Sequence, residues 1–350
     1  MTDQTEILEG LRNDDLLKWA EAAVAAKKLA ENESLTIDVL RELVARREEM
    51  APFPGNDRYL VTEGHAALDA LSKAASHQEL PEGEILSPIL DTLAGPPGNP
   101  DSRYDDDITR RYCAAIFINR MASQKLSQTT LERLAWVMGT QEVKEKRDAQ
   151  GRQIPGPDGQ PEMDYILLDG DPDFEADRLV ANGFENGAEL QDFEGPIMDR
   201  LIDVSHRGRS HTAPTITKTL KIYGASHPLP DRILNKWGAW LKHGIDSVKG
   251  SGLSHLHSVA GANTFSDEIL ADAASLLGSE EEVFEFAEFQ PLGAVAEQFL
   301  VKYGQNHPAE VWAAVGAVAQ AAEGPENQAL SERASRILEV VKPPQRKLKQ

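Results

Sequence analysis

In the run Leu16-Leu17-Lys18-Trp19-Ala20-Glu21-Ala22-Ala23-Val24-Ala25-Ala26, apolar Leu16, Trp19, Ala23 and Ala26 step by three, four and three residues. That spacing winds one stripe along an α-helix of period 3.6 and fits no strand, whose side chains alternate. Ile37, Leu40 and Val44 repeat the stepping, as do Leu131, Leu134, Ala135 and Met138. Near the end Val311, Val315, Val318 and Ala322 form a stripe, followed by Leu330, Ala334, Ile337, Leu338 and Val341. Thr129 with Glu132, and Ser279 with Glu282, have capping-box spacing, which predicts helix starts at both. Pro308 and Pro325 suit first helical positions, where a missing N–H has no partner to lose. Pro52-Phe53-Pro54-Gly55, Gly95-Pro96-Pro97-Gly98 and Ser226-His227-Pro228 break the stripes apart.

Read as pairs, these helices fall near 14–50, 63–94, 106–139, 266–304 and 308–341. One amphipathic pair buries its stripe most simply by stacking on the next. The expectation is an all-α chain of stacked helix pairs, an α-solenoid or helical-repeat-like array or an irregular bundle. No sequence motif recurs at a fixed offset, so the pattern names no repeat family.

Residues 141–164 depart from this pattern. They contain Gly151, Pro155, Gly156, Pro157, Gly159 and Pro161, which a helix interior does not tolerate. Met163 to Leu168 then reads as a short strand, so the insertion is expected as a loop or a small β-hairpin arm. The expected organisation is a helical part over 1–140, the arm over 141–170, a second helical part over 171–342 and a basic tail over 343–350.

Asp and Glu number 57 against 36 Lys and Arg, a net charge of -21 in 350 residues. So acidic a surface repels nucleic acid and anionic membrane over most of its area. The 41% hydrophobic content excludes global disorder. A mean hydropathy of -0.41, without a long apolar run, gives no expected membrane span. MTDQTEILEG carries acids where a leader carries bases, and the one cysteine, Cys113, fits a reducing compartment; both point to the cytoplasm.

Charge is unevenly spread. From His206 to Lys249, eight bases stand against Asp231 and Asp246; from Gly250 to Val301 there is no Lys or Arg, while acids accumulate over 267–288. The basic stretch supplies the candidate anion- or partner-binding residues: Arg207, Arg209, Lys218, Lys221, Arg232, Lys236, Trp237, Trp240 and Lys242. Cations on a backbone with an aromatic to stack would serve a phosphate partner, and the same cations would serve an acidic protein partner or the chain's own 267–288 stretch. The aromatics also read as core and the lysines as a solvated face.

Other chemistries find weaker support. Asp169, Asp171 and Asp173 have calcium-loop spacing, but Phe174 and Val180 stand where that loop needs Gly and Glu, so a helix N-cap at Asp171 or Asp173 is expected. Six histidines fall between His206 and His257, yet HExxH is absent; His255 and His257 are the weak metal candidates and would diverge by about 200° on a helix. Cys113 lies among Tyr112, Ala115, Ile116 and Phe117, as a buried thiol does. No GxSxG, P-loop or GxGxxG is present, and no cofactor is expected.

The resulting expectation is a non-enzymatic scaffold or adaptor. It binds partner proteins through the 206–249 face and the 141–164 arm. Two alternatives of other classes stay open: a nucleic-acid-associated protein gripping phosphates in the basic groove, and a histidine-dependent enzyme, with or without a metal.

Overall fold

An alanine-rich segment loses little side-chain freedom on becoming helical, and Leu16–Ala30 opens where the Asp15 carboxylate accepts the free Leu17 N–H at 3.0 Å. Trp19, Ala23 and Ala26 of the stripe are buried, while Leu16 at its mouth is exposed. In this computed structural model, residues 3–47, 63–95, 107–145, 163–169, 174–286, 288–322 and 327–342 are described. The chain divides into two compact units, Met1–Thr219 and Leu220–Gln350.

The first unit contains α1 (Gln4–Leu11), α2 (Leu16–Ala30), α3 (Ile37–Ala45), α4 (Glu63–Ala75), α5 (Ser87–Ala94), α6 (Asp107–Met121) and α7 (Gln128–Val137). Strands β1 (Thr140–Glu145) and β2 (Met163–Asp169) follow, then α8 (Phe174–Gly187), α9 (Pro196–Arg207) and α10 (Ala213–Gly224), within which the unit boundary falls. Helices α2, α4, α6 and α8 lie side by side as one layer. α1 packs on α3, α3 meets the π-helical turn Glu82–Leu86 that leads into α5, and α5, α7 and α9 continue this second layer. From α1 to α9 most helices therefore pack on the helix two places along, as stacked pairs require.

The second unit contains α11 (Asp231–Ala239), α12 (Asp246–Val259), α13 (Asp267–Ser275), strands β3 (Glu282–Glu285) and β4 (Glu288–Pro291), α14 (Leu292–Gly304), α15 (Pro308–Ala321) and α16 (Gln328–Val340). Helices α11, α13 and α15 follow one another in one layer, and α12, α14 and α16 in the other. The all-α, helical-repeat reading of the sequence holds in both units.

A polar device repeats along the stack. At five turns that join the two layers a buried apolar residue precedes the residue that opens the next helical segment: Leu35 before Thr36, Leu80 before Pro81, Leu126 before Ser127, Leu229 before Pro230 and Phe265 before Ser266. A side chain from the following repeat satisfies that buried backbone. Gln78 accepts the Leu35 N–H at 2.6 Å and donates to its carbonyl at 3.1 Å. Gln124 does the same for Leu80, at 2.9 Å both ways. Gln191 accepts from Leu126 at 2.9 Å, Asn263 from Leu229 at 2.6 Å, and the Tyr303 hydroxyl from Phe265 at 3.3 Å. The repeat unit is thus real, although its spacing varies with the intervening sequence.

Two hairpins depart from the helices. β1 and β2 pair antiparallel, with Val143 opposite Tyr165 and an irregularity between Thr140 and Gln141. The expected strand at Met163–Leu168 is present, one residue longer. The second hairpin corrects the sequence reading: Glu282 opens a strand, because Ser279 ends the 3-10 turn Leu276–Gly278 instead of capping a helix. Likewise Ser127, not Thr129, caps α7, its hydroxyl accepting the Thr130 N–H at 3.3 Å. Pro308 does open α15, and Pro325 lies outside the described residues.

Candidate functional site

The basic stretch is distributed over both units, and much of its charge is already paired. In the first unit Arg207 lies 3.7 Å from Asp203, one turn back on α9, and Lys218 lies 2.5 Å from Glu185. Arg209 and His211 turn inward to the fully buried Asp177, at 3.5 and 3.7 Å. Burial pushes the Asp177 carboxyl up to about 7, against the opposing pull of Arg209, the Gly139 N–H, Arg200 and Thr212. Arg209 and His211 of the basic stretch therefore wall in this buried acid.

In the second unit Lys242 bridges Glu268 at 2.5 Å and Asp272 at 3.3 Å, and Lys249 pairs with Asp246 at 2.7 Å. Trp237 is core. Arg232 is exposed on α11. The fold does gather several candidates around α12. His255 packs edge-on against Trp237 and Trp240, with ring centroids 5.2 and 5.4 Å apart, and Lys236 Nζ lies 5.8 Å from the Trp240 ring. Burial pulls Lys236 down to about 8. His255 falls to about 4 through burial, then the charges of Lys221 and Lys236; His257 falls to about 4 through burial, then Lys302 and Lys221. Both imidazoles are therefore neutral near pH 7 and add no positive charge to the face.

His255 and His257 face different neighbours, because two residues along a helix turn by about 200°. His255 meets the α11 tryptophans, while His257 meets the Phe286 ring at 4.9 Å. Among the described residues no group of three His, Cys, Asp or Glu side chains could hold a metal ion. Asp169 ends β2, and Asp171 and Asp173 lie outside the described residues. Cys113 is buried on α6. A shallow depression of about 360 Å³ by α16 is lined by Arg333 and Arg336, which pair with Glu280 and Glu297 at 2.6 and 2.7 Å.

The surface that sequence reasoning missed is the β3–β4 hairpin. Val283 and Gln290 are opposite one another and buried; Phe284 and Phe289 are opposite one another and 60% and 73% exposed. Their rings stand 5.1 Å apart at 61°. Phe286, in the two-residue connection, has φ 53°. Such short connections need positive φ and ordinarily use Gly or Asn there. The signal in the sequence was Val283-Phe284-Glu285-Phe286 and Phe289, β-forming residues bounded by Gly278 and Pro291, which the accumulating glutamates obscured.

The buried face of this hairpin rests on α12 and α14. A Cβ at Gly250 would lie 3.2 Å from the Val283 side chain, so the bare glycine lets β3 settle on the helix. Glu285 accepts from the Ser251 hydroxyl at 3.1 Å, Gln298 donates to Gln290 at 2.8 Å, and the Leu292 N–H donates to the Glu281 carbonyl at 2.8 Å.

No protein-family model and no curated protein matches the chain. Solved structures similar to it include importin β, at 11% identity and a TM-score of 0.46, over 97% of this chain and 41% of the other. A chain from the structure concerning the phosphorylation switch between cadherin and β-catenin is 12% identical, with a TM-score of 0.41, over 96% of this chain and 60% of the other. The complex of CpcE and CpcF of phycocyanin lyase from Nostoc sp. PCC7120 gives 10% and 0.35, over 97% and 96%. The chain thus spans less than two thirds of the length of the first two. Among its described residues no helix is long and apolar enough to cross a membrane.

Proposed function

We propose that this chain is a helical scaffold that binds partner proteins, with the β3–β4 hairpin as its principal contact and the 141–164 arm as a second. The observation that carries this reading is the outward Phe284–Phe289 pair on a well-seated hairpin. Isolated apolar side chains on a surface need no explanation, but a contiguous aromatic patch favours association, because covering it removes apolar area from water. The 206–249 stretch suits a phosphate-gripping groove less well, since Arg207, Arg209, Lys218, Lys242 and Lys249 already face acids within their own units.

Site-specific photo-crosslinking tests the reading. A benzoylphenylalanine at position 289, irradiated in the host cell, should yield discrete protein adducts that are absent when the probe sits at exposed Glu9. Adducts only to nucleic acid, or the same adducts from both positions, would refute it.

A further inference from the structure

We infer that the outer face of the β3–β4 hairpin docks an arginine-bearing segment of a protein partner, a refinement that rests on the scaffold reading above. Side-chain alternation puts Glu282, Phe284, Phe289 and Pro291 on the outer face, because Val283 and Gln290 occupy the inner one. Glu288 pairs with Glu285 and by the same alternation belongs to the inner side, which leaves Glu282 as the exposed carboxylate of the outer face. Among the described residues Glu282 has no ion-pair partner, whereas neighbouring Glu280 is paired with Arg333. The outer face therefore carries two aromatic rings beside one unpaired carboxylate, Glu282, in a stretch from 250 to 301 that lacks Lys and Arg altogether.

A partner for such a face must carry positive charge and a surface that lies flat on a ring. Guanidinium does both: it is planar, weakly hydrated, stacks on aromatic faces and forks onto carboxylates. An ammonium ion can satisfy the carboxylate but stacks less well. The protein itself uses the pairing, since the Arg200 guanidinium lies 4.3 Å from the Trp136 ring centroid. A second copy of this chain is a poorer occupant, because it would bring the same glutamates and a charge of -21 against its twin.

The hairpin is also formed and packed without any partner. Its inner face is buried and its frame is held by the Gln298–Gln290 and Leu292–Glu281 bonds, so docking need not order it.

The test titrates the full chain into fluorescein-labelled peptides of alternating Val with Arg, Lys, Gln or Glu, followed by fluorescence anisotropy. The Arg peptide should bind at least fivefold tighter than the Lys peptide and weaken as salt is raised. Phe284→Ala with Phe289→Ala should cost tenfold or more, and Glu282→Gln alone should cost threefold or more. These side chains are exposed, so an unchanged urea midpoint will confirm that the variants fold. Equal binding of Arg and Lys peptides, or full binding by the phenylalanine variant, would overturn the inference.

Two further outcomes separate it from the reading beneath it. If the Gln peptide binds as tightly as the Arg peptide and the alanines abolish both, the hairpin is a contact but its partner is not basic. Then the inference fails and the scaffold reading stands. If sedimentation shows a dimer that the alanines dissolve, the occupant is a second copy and the inference again fails. Absence of position-specific protein adducts in the cell removes the scaffold reading itself.

Discussion

The side-chain amide of Gln124 holds both main-chain hydrogen-bonding groups of Leu80, accepting its N–H and donating to its carbonyl at 2.9 Å each. Leu80 is fully buried, so no water replaces that amide. Gln124→Ala is expected to destabilise the first unit by roughly 2–4 kcal/mol, since two backbone groups would lose their partner. Gln128→Ala, which removes an exposed bond to the Asp192 carbonyl, is expected to cost under about 1 kcal/mol. Urea denaturation of both variants decides; equal midpoints would mean that the clamp contributes nothing beyond ordinary surface contacts.

Asp177 gives the first unit an unusual pH response. Its carboxyl is raised by burial from an ordinary 3.8 to about 7, with Arg209, His211 and Arg200 around it. The folded state therefore holds a proton that the unfolded state has lost between these values. This contribution is complete below about pH 4 and disappears as pH rises through 7, with an upper limit of roughly 4 kcal/mol. Asp177→Asn should flatten that slope when unfolding midpoints are compared from pH 4 to pH 8. An unchanged slope would show that the carboxyl titrates normally.

The second unit should respond in the opposite sense. His255 and His257 are lowered from 6.5 to about 4, so between these values the unfolded state binds more protons than the folded one. Their contribution is full above about pH 6.5 and is lost as pH falls through 4. His255→Gln with His257→Gln should remove this part of the acid sensitivity, which hydrogen exchange over α12, corrected for intrinsic rates, will measure. Equal acid sensitivity in variant and parent would exclude the two histidines as its source.

Phe286 combines a backbone cost with a modest contact. At φ 53° a side chain is strained by about 1 kcal/mol or more, while its 39% exposed ring touches His257. Phe286→Gly should leave the thermal midpoint equal to or above that of the parent. Phe286→Ala should fall below the glycine variant, because alanine keeps the strain and loses the ring. The reverse order would show that the turn is not strained.

Much of the helical architecture was legible because helix periodicity is local. Trp19, Ala23 and Ala26, or Leu131, Leu134, Ala135 and Met138, display their shared face within three turns of chain, and all are buried. The repeat itself was not legible, although Leu35, Leu80 and Leu126 recur 45 and 46 residues apart. Its clamp is Gln in three places, Asn at 263 and Tyr at 303, and the insertion after β1 breaks the spacing. The same hydrogen bond can be made by any of these side chains, so the geometry is kept while the letters change.

Charge was the less readable part of the candidate site. Residue counts from 206 to 249 describe a basic stretch correctly, but Lys218 meets Glu185 and Lys242 meets Glu268 only because packing brings separate helices together. Phe284 and Phe289 become a surface for the same reason: five residues apart in sequence, they sit opposite one another only once the strands pair. Local order follows from the sequence, where propensity and period act over a few residues. Which cations stay free, which acid is buried and which aromatics face water depend on distances that close only when the helices stack.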